Sequence, residues 1–219
     1  MSESLTCREC GASFTLSPAV RDRYPGWTPA RCRACHQGGS GRRDGGGKPS
    51  GGPKRRGPRE ENLTVAEVLD RYDAGPHDGV FTDGSAHPNP GPGGWGAVYV
   101  VGGQIVDEAW GHDPDTTNNR MELTALIAGY DLVPEGTPTT VHTDSRLAVD
   151  TITKWAPGWE RRGWRRKSGP VENVDLVKAL YERASARPEI RLEWIAAHAG
   201  ARWNEYADAL STAYRRQVR

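Results

Sequence analysis

Four acids stand where apolar runs meet loops or helix starts. Asp83 ends "GVFTDG", Glu122 sits in "NNRMELTALIAG", Asp144 ends "TTVHTD" and Asp208 lies in "NEYADAL". In an α/β sheet, neighbouring strand ends gather at one edge, where ligands bind. Acids gathered there repel one another and raise each other's pKa. A divalent cation removes that conflict. Mg²⁺ prefers carboxylate oxygens, keeps several waters and accepts substrate phosphates. Two such ions about 4 Å apart clamp the attacking and leaving oxygens of phosphodiester hydrolysis. Each acid alone has a plainer reading: Asp144 as a helix cap, Asp208 as a surface helix residue.

Regular elements must carry these acids. "GVFTDG" reads as a strand. "WGAVYVVGG" and "QIVDEAWGH" read as two strands joined by a hairpin at Gly102-Gly103. "NNRMELTALIAGYDLV" reads as a helix, apolar on most faces and therefore buried. "TTVHTD" is a fourth strand, and "SRLAVDTITKW" a helix capped by Ser145 or Asp144. "VENVDLVKALYERASA" is a helix, "EIRLEWIAAH" a fifth strand and "RWNEYADALSTAYRR" a closing helix. A three-strand meander followed by alternating helix and strand predicts an α/β fold with a mixed five-stranded sheet. "LTVAEVLDRYD" carries a capping-box pattern from Thr64 to Glu67 and predicts a short helix with no assigned role.

The chain has 219 residues, enough for one sizeable domain and an appendage. Its net charge of +1 hides an asymmetry. Residues 1–61 hold 12 Lys and Arg against 6 Asp and Glu, whereas residues 62–219 hold 17 against 22. A basic front favours polyanions. Residues 37–61 are rich in Gly, Pro and Arg and predict a flexible linker whose arginines can touch phosphates. No apolar run reaches the roughly 18 residues of a membrane span. "MSESLTCREC" lacks the apolar core of a secretory signal, so the cytoplasm is the expected compartment.

The contexts "FTDGSAHPNPGPGGWGAV", "TTNNRMELTALIAG", "HTDSRLAVDTI", "ITKWAPGWERRGW", "VENVDL", "AAHAG" and "NEYADAL" resemble, in this order, bacterial-type ribonuclease HI. The resemblance covers residues 79–217 and implies strand order 3-2-1-4-5. It also implies endonucleolytic cleavage of the RNA strand of RNA/DNA hybrids, leaving 5′-phosphate and 3′-hydroxyl ends. By motif match, Asp83, Glu122, Asp144 and Asp208 are its carboxylates for two Mg²⁺, with Mn²⁺ as a substitute. His198 matches the family's mobile catalytic histidine. Asn204, four residues before Asp208, shares its helical face. Two competing readings are a non-catalytic nucleic-acid-binding adaptor on the same fold and a detached reverse-transcriptase nuclease domain. The intact acid set and His198 argue against the first. The basic protrusion argues against the second. A monomer is the simplest expectation.

Selectivity for a hybrid requires sensing the 2′-hydroxyl on one strand and its absence on the other. Asn89, Asn118 and Asn119 match the family's groove-facing asparagines, although an Asn pair at a helix start also serves as a cap. "KWAPGWERRGWRRK" resembles the family's basic protrusion, which grips the DNA strand. There Trp155, Trp159 and Trp164 pack on sugars or on the domain itself, and Arg161 and Arg162 meet phosphates. Thr117 remains from the family's DNA-phosphate pocket. Asp115 stands where relatives often carry a basic residue, Gly158 where an asparagine is common and Arg146 where a glutamine is. Asp115 and Gly158 point to a DNA-strand grip that is weaker or supplied elsewhere, and Arg146 leaves the substrate contact at its position unassigned.

All four cysteines lie in the first 35 residues. "CREC" and "CRAC" place Cys7, Cys10, Cys32 and Cys35 in two pairs separated by 21 residues. Four thiolates suit tetrahedral structural Zn²⁺, and so small a core needs a metal staple. The segment resembles a short treble-clef-like zinc-binding family. His36 is an alternative ligand. Arg8, Arg21, Arg23, Arg31 and Arg33 offer a surface for nucleic acid or a protein partner. The expected organisation is a zinc-binding module at 1–36, the linker at 37–61, a short connecting segment at 62–76 and the catalytic domain at 77–219.

Overall fold

The computed structural model describes residues 4–8, 10–15, 30, 32, 35 and 62–217. The expected linker at 37–61, His36, and Arg21, Arg23, Arg31 and Arg33 lie outside the described residues. The chain divides into two units, Met1–Gly57 and Pro58–Arg219. In the first, β1 (Ser4–Thr6) pairs antiparallel with β2 (Ser13–Thr15). The turn between them closes on Gly11 N–H donating to Cys7 O, and Arg8 N–H donates to Ala30 O.

The second unit begins with α1 (Val65–Arg71), where the expected capping box is present: Thr64 accepts from Glu67 N–H and the Glu67 carboxylate accepts from Thr64 N–H. The strands of the main sheet are β3 (Gly79–Ala86), β4 (Gly91–Val101), β5 (Gln104–Thr116), β6 (Thr139–Thr143) and β9 (Ile190–Trp194), while β7 (Arg165–Arg166) and β8 (Gly169–Pro170) form a separate antiparallel pair. Their order is β5-β4-β3-β6-β9, the expected 3-2-1-4-5. β3 runs antiparallel to β4 and parallel to β6, and β6 runs parallel to β9. Gly102 and Gly103, both at positive φ, turn the β4–β5 hairpin.

Helices cover both faces of the sheet. On one face α2 (Asn118–Leu132) and α5 (Val174–Ala186) enclose Val80, Tyr99, Leu126, Tyr130, Val141 and Leu180. On the other, α6 (Arg202–Ser211) and α1 enclose Phe81, Val98, Val100, Val68, Trp203 and Tyr206. Central β3 is thus buried on both faces, and Val80, Phe81 and Thr82 are fully enclosed. Residues 62–76, expected as a connection, add a helix to this second core. Burying Val68 there stabilises the fold by about 2 kcal/mol. Among the described residues no helix is long and apolar enough to cross a membrane.

Two expected helices are interrupted. "SRLAVDTITKW" forms α3 (Arg146–Asp150), widens into a π turn at Thr151–Trp155 and continues as α4 (Ala156–Glu160). Pro157 lacks an N–H and crowds the preceding turn of a regular helix, a conflict that a wider turn relieves. The closing helix stops at Ser211 and resumes as α7 (Tyr214–Gln217). Thr212 Oγ1 and Thr212 N–H both donate to Asp208 O, and such side-chain back-bonding bends helices. The fifth strand ends at Trp194 rather than running through "IAAH", because the chain leaves β6 once Ile195 N–H has donated to Thr143 O.

Two glycines permit the layers to touch. A Cβ on Gly84 would fall 2.2 Å from Glu122 N, and one on Gly96 would fall 2.4 Å from Leu210 Cβ. Gly84 meets helix backbone, which cannot rotate away. Gly84→Ala is therefore expected to destabilise the protein by roughly 3 kcal/mol, the upper range for overpacking. Chemical denaturation measures this, and a loss under about 1 kcal/mol would mean that α2 shifts freely.

Candidate active site

The parallel pairing of Thr82 with Thr143 puts Asp83 and Asp144 one residue further along neighbouring strands. Gly84 lets the first turn of α2 close on β3 beside Asp83, which brings in Glu122. Thr117 caps that helix by accepting from Arg120 N–H. The Asn118 side-chain oxygen accepts from Ala86 N–H at 2.6 Å, which ties the helix start to β3. Ser211, fully buried on α6, donates its one hydroxyl proton to Asp83 Oδ2 at 2.5 Å, and its oxygen lies 3.0 Å from Asp208 O. Ser145 donates its hydroxyl to Glu122 Oε2 while accepting from Ala148 N–H as the cap of α3. Ser145, not Asp144, is thus the cap, and the Asp144 carboxylate is left for other work.

Burial, together with the charges of Asp83 and Glu122, pushes the Asp144 carboxyl up to about 7, against a smaller opposing pull from His198. Burial also raises Glu122, opposed by the Ser145 hydrogen bond and reinforced by Asp83. These three acids therefore share one electrostatic site. Asp208 stands with a second group, in which its carboxylate, Glu205 and His198 offer ligand atoms within 4.8 Å of one another. Ser211 links the two groups. The donor set fits a hard divalent cation: carboxylate oxygens, half-buried, with a proton affinity that a cation would relieve.

His198 is exposed and adopts φ +47° on the loop between β9 and α6. Its Nδ1 lies 3.8 Å from Glu205 Oε2, and the other Glu205 oxygen accepts from Gly200 N–H at 3.2 Å. Sequence reasoning missed Glu205 and Ser211, and of Ser145 it saw the cap but not the contact with Glu122. Glu205 had a legible signal, since it precedes Asp208 by three residues and shares its helical face. The serines had none beyond their neighbours. Asn204 is buried, and its side-chain oxygen has no hydrogen-bond partner among the described residues.

Asn89 is exposed and its side-chain oxygen accepts from Asn118 N–H at 3.2 Å, across a loop with cis bonds at His87-Pro88 and Asn89-Pro90. Asn89 and Asn118 thus each use the oxygen structurally, which leaves the amide N–H groups to donate outward. Asn119 is exposed and lines a cleft of about 120 Å³ with Glu122, Trp155, Trp159 and Arg166. Trp159 and Trp164 pack against the core, and Trp164 meets Tyr181 edge-on at 5.8 Å. Trp155 remains exposed, as do Arg161 and Arg162. Trp159 and Trp164 therefore take the expected packing role, and Trp155 does not. Asp115 is exposed, and a Cβ on Gly158 would meet only the Arg162 guanidinium, at 3.4 Å. The Arg146 guanidinium lies 4.2 Å over Trp194, whose Nε1–H donates to Asp144 O.

In the first unit Cys7, Cys10, Cys32 and Cys35 place their sulfurs within 4.8 Å of one another, with Cys10 and Cys32 at 3.7 Å. The Cys35 thiol is pushed up, first by its contacts with Cys10 and Cys32. Four sulfurs so close fit a tetrahedral thiolate site.

The sequence profile of the RNase H family matches residues 77–215. The chain is 46% identical over 139 residues to a ribonuclease H of Methylorubrum extorquens (strain PA1), covering 64% of this chain and 60% of that protein. It is 47% identical over 134 residues to a ribonuclease H of Granulibacter bethesdensis, covering 61% of this chain and 88% of that protein. Among solved structures it is similar to LC9-RNase H1, a type 1 RNase H with the type 2 active-site motif, with TM-score 0.53 and 33% identity over 64% of this chain and 74% of that one. It is also similar to the N-terminal RNase H domain of rv2228c from Mycobacterium tuberculosis, with TM-score 0.50 and 28% identity over 64% and 96%. With the strand order, the gathered acids and these matches together, the chain belongs to the RNase H family and is a ribonuclease H.

Proposed function

We propose that the protein hydrolyses the RNA strand of RNA/DNA hybrids endonucleolytically, leaving 5′-phosphate and 3′-hydroxyl ends. The observation that carries this reading is the shared site of Asp83, Glu122 and Asp144, in which Asp144 is held near pKa 7 by burial and by its two acid neighbours. Asp83, Glu122, Asp144 and Asp208 would hold two Mg²⁺, or Mn²⁺ in their place, which supply charge for the attacking and leaving oxygens. Ser145 and Ser211 orient Glu122 and Asp83. His198, beside Glu205, moves protons at the edge of the site. Asn89, Asn118 and Asn119 donate to the groove, Thr117 shapes the helix start beneath them, and Trp155, Arg161 and Arg162 meet the DNA strand. The test is cleavage of an end-labelled hybrid against single-stranded RNA, duplex RNA and duplex DNA, with Mg²⁺ and with EDTA. Metal-dependent cutting of the hybrid's RNA alone is expected. No metal-dependent cutting overturns the reading.

The four cysteines hold one structural Zn²⁺, and the basic front tethers the enzyme to nucleic acid, which raises its effective concentration on substrate. One zinc per chain, lost in Cys7→Ser, is the expected metal content. Deleting residues 1–61 is expected to raise KM for the hybrid several-fold with kcat little changed. An unchanged KM at low salt would remove the tether.

A further inference from the structure

The loop bearing His198 is held at both ends. At its start Ile195 N–H donates to Thr143 O, next to Asp144. At its end Ala201 precedes α6 as an N-cap that makes no side-chain hydrogen bond. An alanine there leaves the first amides of the helix without a side-chain partner. The chain just after α1 takes over. Arg202 N–H donates to Ala74 O at 2.8 Å, and Ala74 and Ala201 form an isolated parallel bridge.

Arg202 reaches back along α1. Its Nε donates to Tyr72 O at 2.5 Å and its Nη2 to Leu69 O at 2.8 Å, which satisfies carbonyls that a helix end leaves unpaired. Gly75 sits at φ +95°, and a Cβ on it would fall 2.8 Å from Ala201 Cβ, so the two segments are in closest contact. The Tyr72 ring stands 3.8 Å from where a Cβ on Gly200 would be. The segment is itself anchored. Val68 is buried in the core, Thr64 and Glu67 close its front, and Arg216 donates to Leu63 O and the Asn62 side chain.

Residues 62–76 lie outside the matched span of 77–215. We propose that they form a strap that positions the His198 loop. Gly75 and Arg202 are positioning residues that act through Ala201 and Gly200 on a histidine which, being exposed and in a left-handed conformation, depends on its loop ends for its place. This rests on the reading of His198 as the proton-handling group.

Full-length Gly75→Val and Arg202→Met test it, with Arg202→Lys as the conservative control, each made with and without His198→Ala. The first readout is amide exchange. Amides 196–201 are expected to exchange at least about tenfold faster in Gly75→Val and Arg202→Met, with β9 unchanged and Arg202→Lys in between. The second is kinetic. Each variant is expected to lower kcat about tenfold with KM within about twofold, and to add nothing once His198 is alanine. Unchanged exchange in both variants overturns the strap. Faster exchange with equal kcat losses in both backgrounds overturns its action through the histidine. An unchanged kcat in His198→Ala alone overturns instead the histidine's role, and the exchange result then still decides the strap.

Discussion

Asp83→Asn is expected to lower cleavage of an RNA/DNA hybrid by at least about 10³-fold, in Mg²⁺ and in Mn²⁺ alike. The amide keeps the shape of the side chain and a partner for Ser211 Oγ, so the fold should survive. What it loses is one negative charge at the point where β3, α2 and β6 converge. That charge raises both Asp144 and Glu122, so the same substitution should leave the melting temperature in EDTA unchanged or higher. Loss of activity with gain of stability separates a functional acid from a structural one. Retention of more than about a tenth of the activity would mean that Asp83 is not a metal ligand.

Stability without metal should fall as pH rises. The Asp144 pKa is raised in the folded state, from 3.8 to about 7, so the native protein holds this proton more tightly than the unfolded chain. Its contribution is fully present below the unfolded value and is lost as pH climbs through the folded one. A shift of this size sets an upper bound of about 4 kcal/mol, and partial solvent access reduces it to roughly 2 kcal/mol. Glu122 acts in the same direction. Buried His142 acts in the opposite one, because burial lowers its pKa and its protonation on acidification disfavours the fold. Comparison with Asp144→Asn cancels the histidine's effect, which both proteins share. In EDTA the variant should melt several degrees above the unmutated protein at pH 8 and close to it at pH 4. Mg²⁺ should raise the melting temperature of the unmutated protein more at pH 8 than at pH 5.5, and hardly raise that of the variant. An equal difference between the two proteins at both ends of the pH range would place Asp144 outside a crowded acid site.

Much of this was legible in the residues alone. The short apolar run in "GVFTDG" and the pattern of "TTVHTD" mark two strands, and the resemblance to ribonuclease HI implies the order that makes them neighbours. From this follows the pairing of Asp83 with Asp144. Gly-Gly at 102 and 103 marks the hairpin, and the Thr64–Glu67 spacing marks a capped helix. Motif order then points to Glu122, Asp208 and His198. These signals are local, or lie in a fixed register with local ones.

Other features belong to no short stretch. Ser145 orients Glu122 and Ser211 holds Asp83, across 23 and 128 residues of chain. Trp159 and Trp164 turn inward while Trp155 stays exposed, a division that residue type does not foretell. Residues 62–76 looked like a connection because an eleven-residue pattern does not say what it packs against. Their contact with Ala201 and Arg202 exists only once α1 and α6 lie on the same face of the sheet. The strands, most of the helices and the cysteine set were readable from the residues, because side-chain period, capping and ligand spacing are local properties, and the acids from the order of their motifs. Which hydroxyls touch the acids, which tryptophans stay exposed and what packs on the histidine loop emerged with the folded chain, because these are close contacts between residues far apart in sequence.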